Sequence, residues 1–561
     1  MARINNKRVS EKIDYERDIK GKRLIRLSAG VGSGKNYWIG QISRDYPDLR
    51  ILLITSRINI VNAQAKKLNA QTFIDIEELM TYDEDWGLIG NEDFMRVACT
   101  NARIEKFVKH QYEADDATTH IWNNFDLIVV DEVHSLTMDA TFTDSPFYVE
   151  KFIKQAYKNN RNCDILCMSG TQEPIDWLFS GSISNRIVNI DCFEECIHLE
   201  PDNVILCPSF SVIPDLYNYY SSGEKIIFFA NQIRSIVNIT NELLKLGASV
   251  TDFGFSFNYQ DEKIEAFHPD IREHLSESID ELNNYLIQNE RLPDNIKIFF
   301  STSKNKEGIS IENDDIKIMY VESANKNDVV QMAGRVRGNP DTGKGLRNLF
   351  IIHDANQNYI ARDAFNIELC KNCVKGVNTS FFKLREENKE SFNLPSTKKY
   401  ILNYFKYLRY DNFSESFMVY NGKIAGENQR YYYRYQLKDI AENFNAPFLS
   451  YGRTGAEILK EEWFPHSSLY IYIDDTPAEI AKNKLSNYLT SNNLLDRHIT
   501  REERDNVKQR MVELTSLYDC KELGFNEPLT FDSRPAPALR KFGYKLKTHS
   551  NGVYYEINKI R

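Results

Sequence analysis

The chain lacks any apolar run approaching the roughly twenty residues needed to span a bilayer, so no membrane-spanning helix is expected. Its first residues, Met-Ala-Arg-Ile-Asn-Asn-Lys-Arg, carry no apolar core, so no secretory signal is expected either. Cysteine is sparse. Nine in 561 residues suit reduced thiols in a cytoplasmic or nucleoid-associated protein better than a disulfide framework. Three pairs have metal-like spacing: Cys163 with Cys167, Cys192 with Cys196, and Cys370 with Cys373. None has a second pair at regular spacing, so structural thiols are expected; Cys370 with Cys373 is the best of the weak zinc candidates. An excess of positive charge is also missing. The net charge of −10 excludes a chain that coats nucleic acid everywhere, but it leaves room for a local basic groove. The absence of a short-period repeat excludes a solenoid.

What is present is a long alternation of short apolar runs with helical patterns, as an α/β protein requires. The runs Leu24–Leu27, Ile51–Thr55, Val97–Thr100, Leu127–Val130 and Ile165–Ser169 read as buried parallel strands. A second series follows at Val204–Leu206, Lys225–Ala230, Ile296–Ser301, Ile316–Val321 and Leu349–Ile352. The repeated pattern predicts two parallel-sheet domains in tandem, each of about 170–200 residues.

Two segments carry chemistry. Ser28-Ala29-Gly30-Val31-Gly32-Ser33-Gly34-Lys35-Asn36 follows the first strand. A glycine-rich loop there lets backbone N–H groups wrap a polyphosphate, and the helix after it offers its positive end to the same anion. Lys35 would reach the terminal phosphates as a point charge. About a hundred residues later, Val129-Val130-Asp131-Glu132-Val133-His134 sets two adjacent carboxylates at a strand exit. One can hold Mg²⁺ and the other can orient or deprotonate a water. One position breaks the usual pattern: the residue after the lysine is normally Ser or Thr, whose hydroxyl binds Mg²⁺, and here it is Asn36.

Further motifs follow in order, and together they resemble superfamily 2 helicases over about residues 20–375. Ala29-x-x-Gly32-x-Gly34-Lys35 resembles that superfamily's first motif, and Ile54-Thr55-Ser56-Arg57 with Gln64 resembles motif Ia. Asp131-Glu132-Val133-His134 resembles the DEAH-type second motif, and Ser169-Gly170-Thr171 resembles motif III. Thr302 with Gly308-Ile309-Ser310 has motif V spacing, and Gln331-Met332-Ala333-Gly334-Arg335-Val336-Arg337 resembles motif VI. Each has a plainer alternative: a turn, a solvated strand end, or a basic helix face. Their joint occurrence at strand ends is what gives the resemblance its weight.

The resemblance implies two RecA-like domains with an ATP site between them, ATP and Mg²⁺ being the cofactors. It implies that Ala29, Gly30, Val31, Gly32, Ser33, Gly34, Lys35 and Asn36 bind ATP, and that Asn36 and Asp131 hold Mg²⁺. Lys35, Asp131, Glu132, Gln331, Arg335 and Arg337 are the implied catalytic set. His134, Ser169, Thr171 and Gly308 would couple nucleotide state to strand contacts made by Thr55, Arg57, Thr100 and Thr302. No adenine-recognising glutamine motif precedes Leu24, so the DEAD-box subgroup is a poor match. Asp-Glu-Val-His-Ser and the Gly-Arg-Val-Arg ending resemble viral and phage origin-binding replication helicases.

Beyond about Gly376 the helicase motifs stop. Residues 400–435 are dense in aromatics and basic side chains, among them Tyr400, Tyr404, Phe405, Lys406, Tyr407 and Arg430-Tyr431-Tyr432-Tyr433-Arg434-Tyr435. They read as an aromatic helical core or as a platform for single strands. Thr500-Arg501-Glu502-Glu503 is a capping box that opens a helix with Val507, Met511 and Leu514 on its apolar stripe. A further helix after Pro535 leads into a hairpin turning at Ser550-Asn551-Gly552, a sequence that resembles a winged helix. From Arg534 to Arg561 seven basic residues face one acidic one, a local +6. Arg540, Lys541, Lys545 and Lys547 are therefore the expected duplex contacts.

The expected fold is α/β: two tandem RecA-like parallel-sheet domains at 1–200 and 201–375, a helical aromatic-rich domain at 376–495, and a winged-helix module at 496–561. The expected function is an ATP-dependent DNA helicase or translocase acting in replication of a phage or mobile element. Its expected partners are DNA and replication proteins, with no membrane. Rivals are an RNA helicase and an ATP-switched DNA-binding protein that does not unwind processively.

Overall fold

A computed structural model describes residues 2–4, 7–56, 61, 64, 65, 68, 70–72, 95–113, 125–171, 175–178, 186–196, 198–257, 264–273, 275–302, 311–336, 346–353, 367–389, 392–411, 414–442, 444–445, 452–471, 477–518, 521–549 and 554–560. Among the described residues no helix is long and apolar enough to cross a membrane.

The first sheet comprises β1 (Leu24–Ser28), β2 (Ile51–Thr55), β3 (Gln71–Thr72), β4 (Arg96–Thr100), β5 (Leu127–Val130), β6 (Asp164–Ser169) and β7 (Val188–Asp191), in the order β3-β4-β2-β5-β6-β1-β7. Every pairing in it is parallel. The central strands read as unbroken apolar runs because both faces are covered. On one face lie Ile104 and Phe107 of helix Asn101–Glu113, with Phe152 and Ile153 of helix Ser145–Asn159. On the other lie Trp38, Ile39 and Ile42 of α1 (Lys35–Asp45). Register sets Ser28 beside Ser169 and Thr55 beside Thr100, so the motif-bearing loops leave one edge of the sheet together. That edge, at the carboxyl ends of the strands, is where open α/β sheets take ligands. The four-residue helix α2 (Ser135–Met138) follows β5 after the Asp131–His134 loop.

The second sheet contains β8 (Asn203–Pro208), β9 (Lys225–Phe229), β10 (Phe253–Ser256), β11 (Ile298–Ser301), β12 (Ile316–Val321) and β13 (Asn348–His353). Helix α3 (Lys326–Ala333) follows β12. Next come α4 (Ile367–Glu387), α5 (Leu394–Tyr404) and a hairpin of Leu408–Asp411 with Ser416–Val419, gathered around Phe381, Leu408 and Phe417. The 22-residue helix α6 (Asn421–Glu442) joins the two large domains. Near its start Gly422 and Gly426 face Leu136 and Thr137 of α2, whereas Tyr433, Leu437 and Ile440 sit in the core of the second domain. The chain then adds β14 (Ser468–Ile471), parallel to β8, giving the order β10-β11-β9-β12-β13-β8-β14. Neither β10 nor β14 belongs to the strand series expected from sequence; each is only four residues long.

The remaining residues form one unit: α7 (Pro477–Ser491), β15 (His498–Ile499), α8 (Arg501–Leu517), α9 (Pro535–Lys541), β16 (Tyr544–His549) and β17 (Tyr554–Lys559). The strands are antiparallel in the order β15-β17-β16. Leu485, Leu489, Met511, Leu514, Leu539 and Ile557 share its apolar core. The Thr500 capping box is formed, with its hydroxyl accepting from Glu503 N. The Ser550–Gly552 turn lies outside the described residues.

Candidate nucleotide site between the two large domains

The glycine-rich loop leaves β1 and turns into α1 through Gly32 and Gly34, at φ 83° and 86°. Side-chain-bearing residues avoid that left-handed region. The start of the loop is tied to the third motif by Ala29 N–H donating to Ser169 O at 3.2 Å. Lys35 is buried, and its ammonium folds back to donate to the carbonyls of Ala29 (2.7 Å) and Gly30 (3.3 Å). The loop therefore keeps its cation folded onto its own carbonyls at the N-terminus of α1, a helix end that suits a polyphosphate.

Asp131 is buried at the end of β5, and Gln64 Nε2 donates to its Oδ2 at 2.7 Å. Burial pushes its carboxyl above the usual carboxylate range and adjacent Glu132 adds to this; Gln64, Lys35 and Asn36 oppose the shift. Asn36 Oδ1 is itself buried without a hydrogen-bond partner, as is Gln64 Oε1. An orphaned amide oxygen beside a buried carboxylate is an all-oxygen donor set that fits a hard divalent cation such as Mg²⁺.

Glu132 occupies φ 50°, rare for a side-chain-bearing residue. Its Oε2 accepts from Gly170 N at 3.0 Å and from Gln331 Nε2 at 3.2 Å, and it lies 3.4 Å from His134 Nδ1. His134 Nδ1 is also 3.1 Å from Ser169 Oγ, which is 2.9 Å from Thr171 Oγ1. Gln331 comes from α3 in the second domain, where Arg335 Nη2 donates to its Oε1 at 3.3 Å. Gly334 ends that helix against the loop of the first domain: a Cβ there would lie 2.4 Å from Val31 Cγ1. The two domains meet directly over the glycine-rich loop.

Not every expected residue joins this cluster. Thr55 and Thr100 end neighbouring strands on the loop-bearing edge, where Thr100 Oγ1 also accepts from Arg103 N at 3.3 Å. Thr302 follows β11, with its N–H donating to Ser256 O at 3.3 Å. Arg57, Gly308 and Arg337 lie outside the described residues. In the terminal unit Arg540, Lys545 and Lys547 are exposed, and Lys547 lies 3.9 Å from Glu556. Lys541 is exposed as well, but its ammonium donates to Gly524 O and sits 4.2 Å over the Phe525 ring. The role of Gln64 as partner of Asp131 was not expected: its place in a motif was legible, but a separation of 67 positions hid the contact. Among the described residues no cluster of three or more His, Cys, Asp or Glu could hold a metal, and Cys370 and Cys373 lie on α4.

No protein-family model matches the chain, and a search of curated proteins finds no match. Solved structures do resemble it. One is Mss116p bound to ssRNA and AMP-PNP, with 13% identity over 65% of this chain and 78% of that one, at a TM-score of 0.41. Another is the Escherichia coli DEAH/RHA helicase HrpB, with 13% identity over 60% of this chain and 41% of that one, at 0.36. A third is the DUF1998 helicase MrfA bound to DNA and AMPPNP, with 12% identity over 72% of this chain and 58% of that one, at 0.37.

Proposed function

We propose that this chain is a nucleic-acid-dependent ATPase of the superfamily 2 helicase type, which moves along DNA and separates its strands. The observation that carries this reading is the two-sided hold on Glu132 Oε2, by Gly170 N of its own domain and by Gln331 of the other. In it ATP binds with its phosphates in the amides of Gly32–Lys35, and Lys35 turns from the Ala29 carbonyl to the β/γ oxygens. Asn36 and Asp131 would hold Mg²⁺, which would supply neutralising positive charge at the phosphates. Glu132 orients the attacking water and takes its proton. Arg335 and Arg337 face the charge that develops on the transferring phosphoryl group. Because Gln331 and Arg335 belong to the second domain, hydrolysis is linked to the distance between domains. The chain His134–Ser169–Thr171 relays that state toward Thr55, Arg57, Thr100, Thr302 and Gly308 on the strand.

The order helix–strand–helix–helix–hairpin of the terminal unit, which takes in α7 as well as residues 496–561, supports reading it as a winged helix. In this proposal it grips duplex through Arg540, Lys541, Lys545 and Lys547. Lys541 would first leave Gly524. The setting we assign is cytoplasmic replication of a phage or mobile element, with replication proteins as partners.

The test is ATPase turnover of the wild type, Lys35→Ala and Asn36→Thr, with matched single-stranded DNA and RNA. Stimulation by DNA in the wild type and its loss in Lys35→Ala are expected. Wild-type turnover no higher than the Lys35→Ala blank, with or without strands, would sink the proposal. Asn36 favours a second reading, an ATP-switched DNA-binding protein, because an amide replaces the usual hydroxyl beside Asp131. A forked duplex separates the two: ATP-dependent strand displacement supports the motor, whereas tight binding with a non-hydrolysable analogue and no displacement supports the switch.

A further inference from the structure

The aromatic-rich region expected as either core or platform is divided by the structure. Tyr407 and Tyr433 are buried, and Tyr433 packs in the core of the second domain. Tyr400 and Tyr404 on α5 stay 63% and 71% exposed, and Phe405 just beyond the helix is also exposed. Tyr400 and Tyr404 are one helical turn apart and share a face, with ring centroids 4.9 Å apart at 42°. The opposite face of α5 supplies Leu394, Ile401 and Leu402 to the Phe381–Leu408–Phe417 core, so the outward rings do not contribute to that packing.

Along the segment that carries them the charge has one sign. From Ser391 to Tyr410 there are Lys398, Lys399, Lys406 and Arg409, and no Asp or Glu, in a chain of net −10. Lys399 precedes Tyr400 and Lys406 follows Phe405 in the chain, and both are exposed; Lys406 pairs with Glu427 at 2.8 Å and lies 4.7 Å over the Tyr407 ring. Exposed phenol rings beside ammonium groups match the two recurring surfaces of a single strand, its base faces and its phosphates. We propose that Tyr400 and Tyr404, flanked by Lys399 and Lys406, form a stacking platform for bases of a single DNA strand outside the motor domains. This rests on the motor reading above and assigns the accessory unit the task of holding the strand as it enters or leaves.

The experiment measures binding of fluorescein-labelled dT20 and rU20 to the full chain by anisotropy, without nucleotide. Tyr400→Ala with Tyr404→Ala should weaken dT20 binding at least about tenfold, because both stacking faces are lost. Tyr400→Phe with Tyr404→Phe should keep the wild-type Kd within about twofold, since the ring faces remain. Lys399→Ala should lower the slope of log K against log salt by about one. Irradiating wild type on 5-iodouracil-substituted dT20 should give crosslinks mapped by mass spectrometry to Tyr400 or Tyr404. Wild-type binding to neither oligonucleotide would overturn the motor reading itself. Normal dT20 binding by the double alanine variant, with crosslinks elsewhere, would overturn the platform alone. A loss confined to rU20 would overturn the choice of DNA.

Discussion

Glu132 is held at φ 50°, where a residue with a side chain costs on the order of 1–3 kcal/mol unless its surroundings enforce it. Here the enforcement comes from Gly170 N and Gln331 Nε2 on the carboxylate and from Met168 O, which accepts the N–H of Val133. Replacing Gln331 with alanine removes the donor that reaches across from the second domain. Turnover should fall about 10- to 100-fold, with the ATP dissociation constant little changed. Steady-state ATPase beside fluorescent-nucleotide titration checks this. Asp131 makes a different prediction. Burial first, and Glu132 second, raise its carboxyl above the ordinary range. The favourable, protonated form is therefore present below that range, and its stability contribution is lost as pH rises through the raised value. Above the raised value the ionised Asp131 costs stability. Asp131→Asn should melt at a higher temperature than wild type near pH 7, with the gain shrinking as pH falls into the ordinary carboxylate range, while Mg²⁺-dependent ATPase is lost. Differential scanning fluorimetry across pH measures the first part.

At the scale of elements, α6 is the helix that packs against both large domains. Thr137 Oγ1, one turn beyond the carboxylate loop, lies 2.8 Å from His134 O and 3.0 Å from Gln429 Oε1 on α6. Beside it a Cβ on Gly426 would come within 1.9 Å of Thr137 O. That neighbour is backbone and cannot swing aside, so Gly426→Ala should part α6 from α2. We expect a loss of about 1–3 kcal/mol, read as a lower midpoint in urea unfolding. The N-terminus of α8 is simpler: Thr500→Ala removes a formed capping box and should cost about 1 kcal/mol, measured the same way. That box was legible from Thr500 and Glu503, because a cap is set by residues three apart. Strands β10 and β14 were not legible. Phe-Gly-Phe-Ser in β10 and Ser-Leu-Tyr-Ile in β14 lack the unbroken aliphatic run of the equally short β5, and β14 joins its sheet more than a hundred residues after β13.

Across the whole molecule, the region between the large domains is anchored to the first of them by polar contacts. The Gly422 N–H donates to Glu150 Oε2 at 3.2 Å, and Tyr420 Oη donates to Thr143 O at 3.2 Å. Lys151 and Asp411 form an ion pair whose side chains are only 7% and 6% exposed. Burial alone would raise the Asp411 carboxyl, but Lys151 and Ser414 more than offset it and hold it below the usual range. Asp411→Ala would leave a buried ammonium and should cost about 3–5 kcal/mol, whereas Lys151→Met with Asp411→Leu should recover most of the loss. Thermal unfolding of the three variants compares them. With α6 seated in both domains, any change in their separation must bend, slide or release that helix.

The sequence by itself determined what depends on neighbours along the chain. Continuous apolar runs dictated buried parallel strands, the glycine pattern dictated a phosphate-sized loop ahead of a helix, and Thr500 with Glu503 dictated where α8 begins. Only the tertiary structure decided which of these meet. Gln331 reaches Glu132 across 199 residues and Gln429 reaches Thr137 across 292. Tyr433 was sent into a core while Tyr400 and Tyr404 were left facing water. The physical reason is that apolar burial is non-directional. It states that a face will be covered, and the covering face is chosen only when all the elements pack at once.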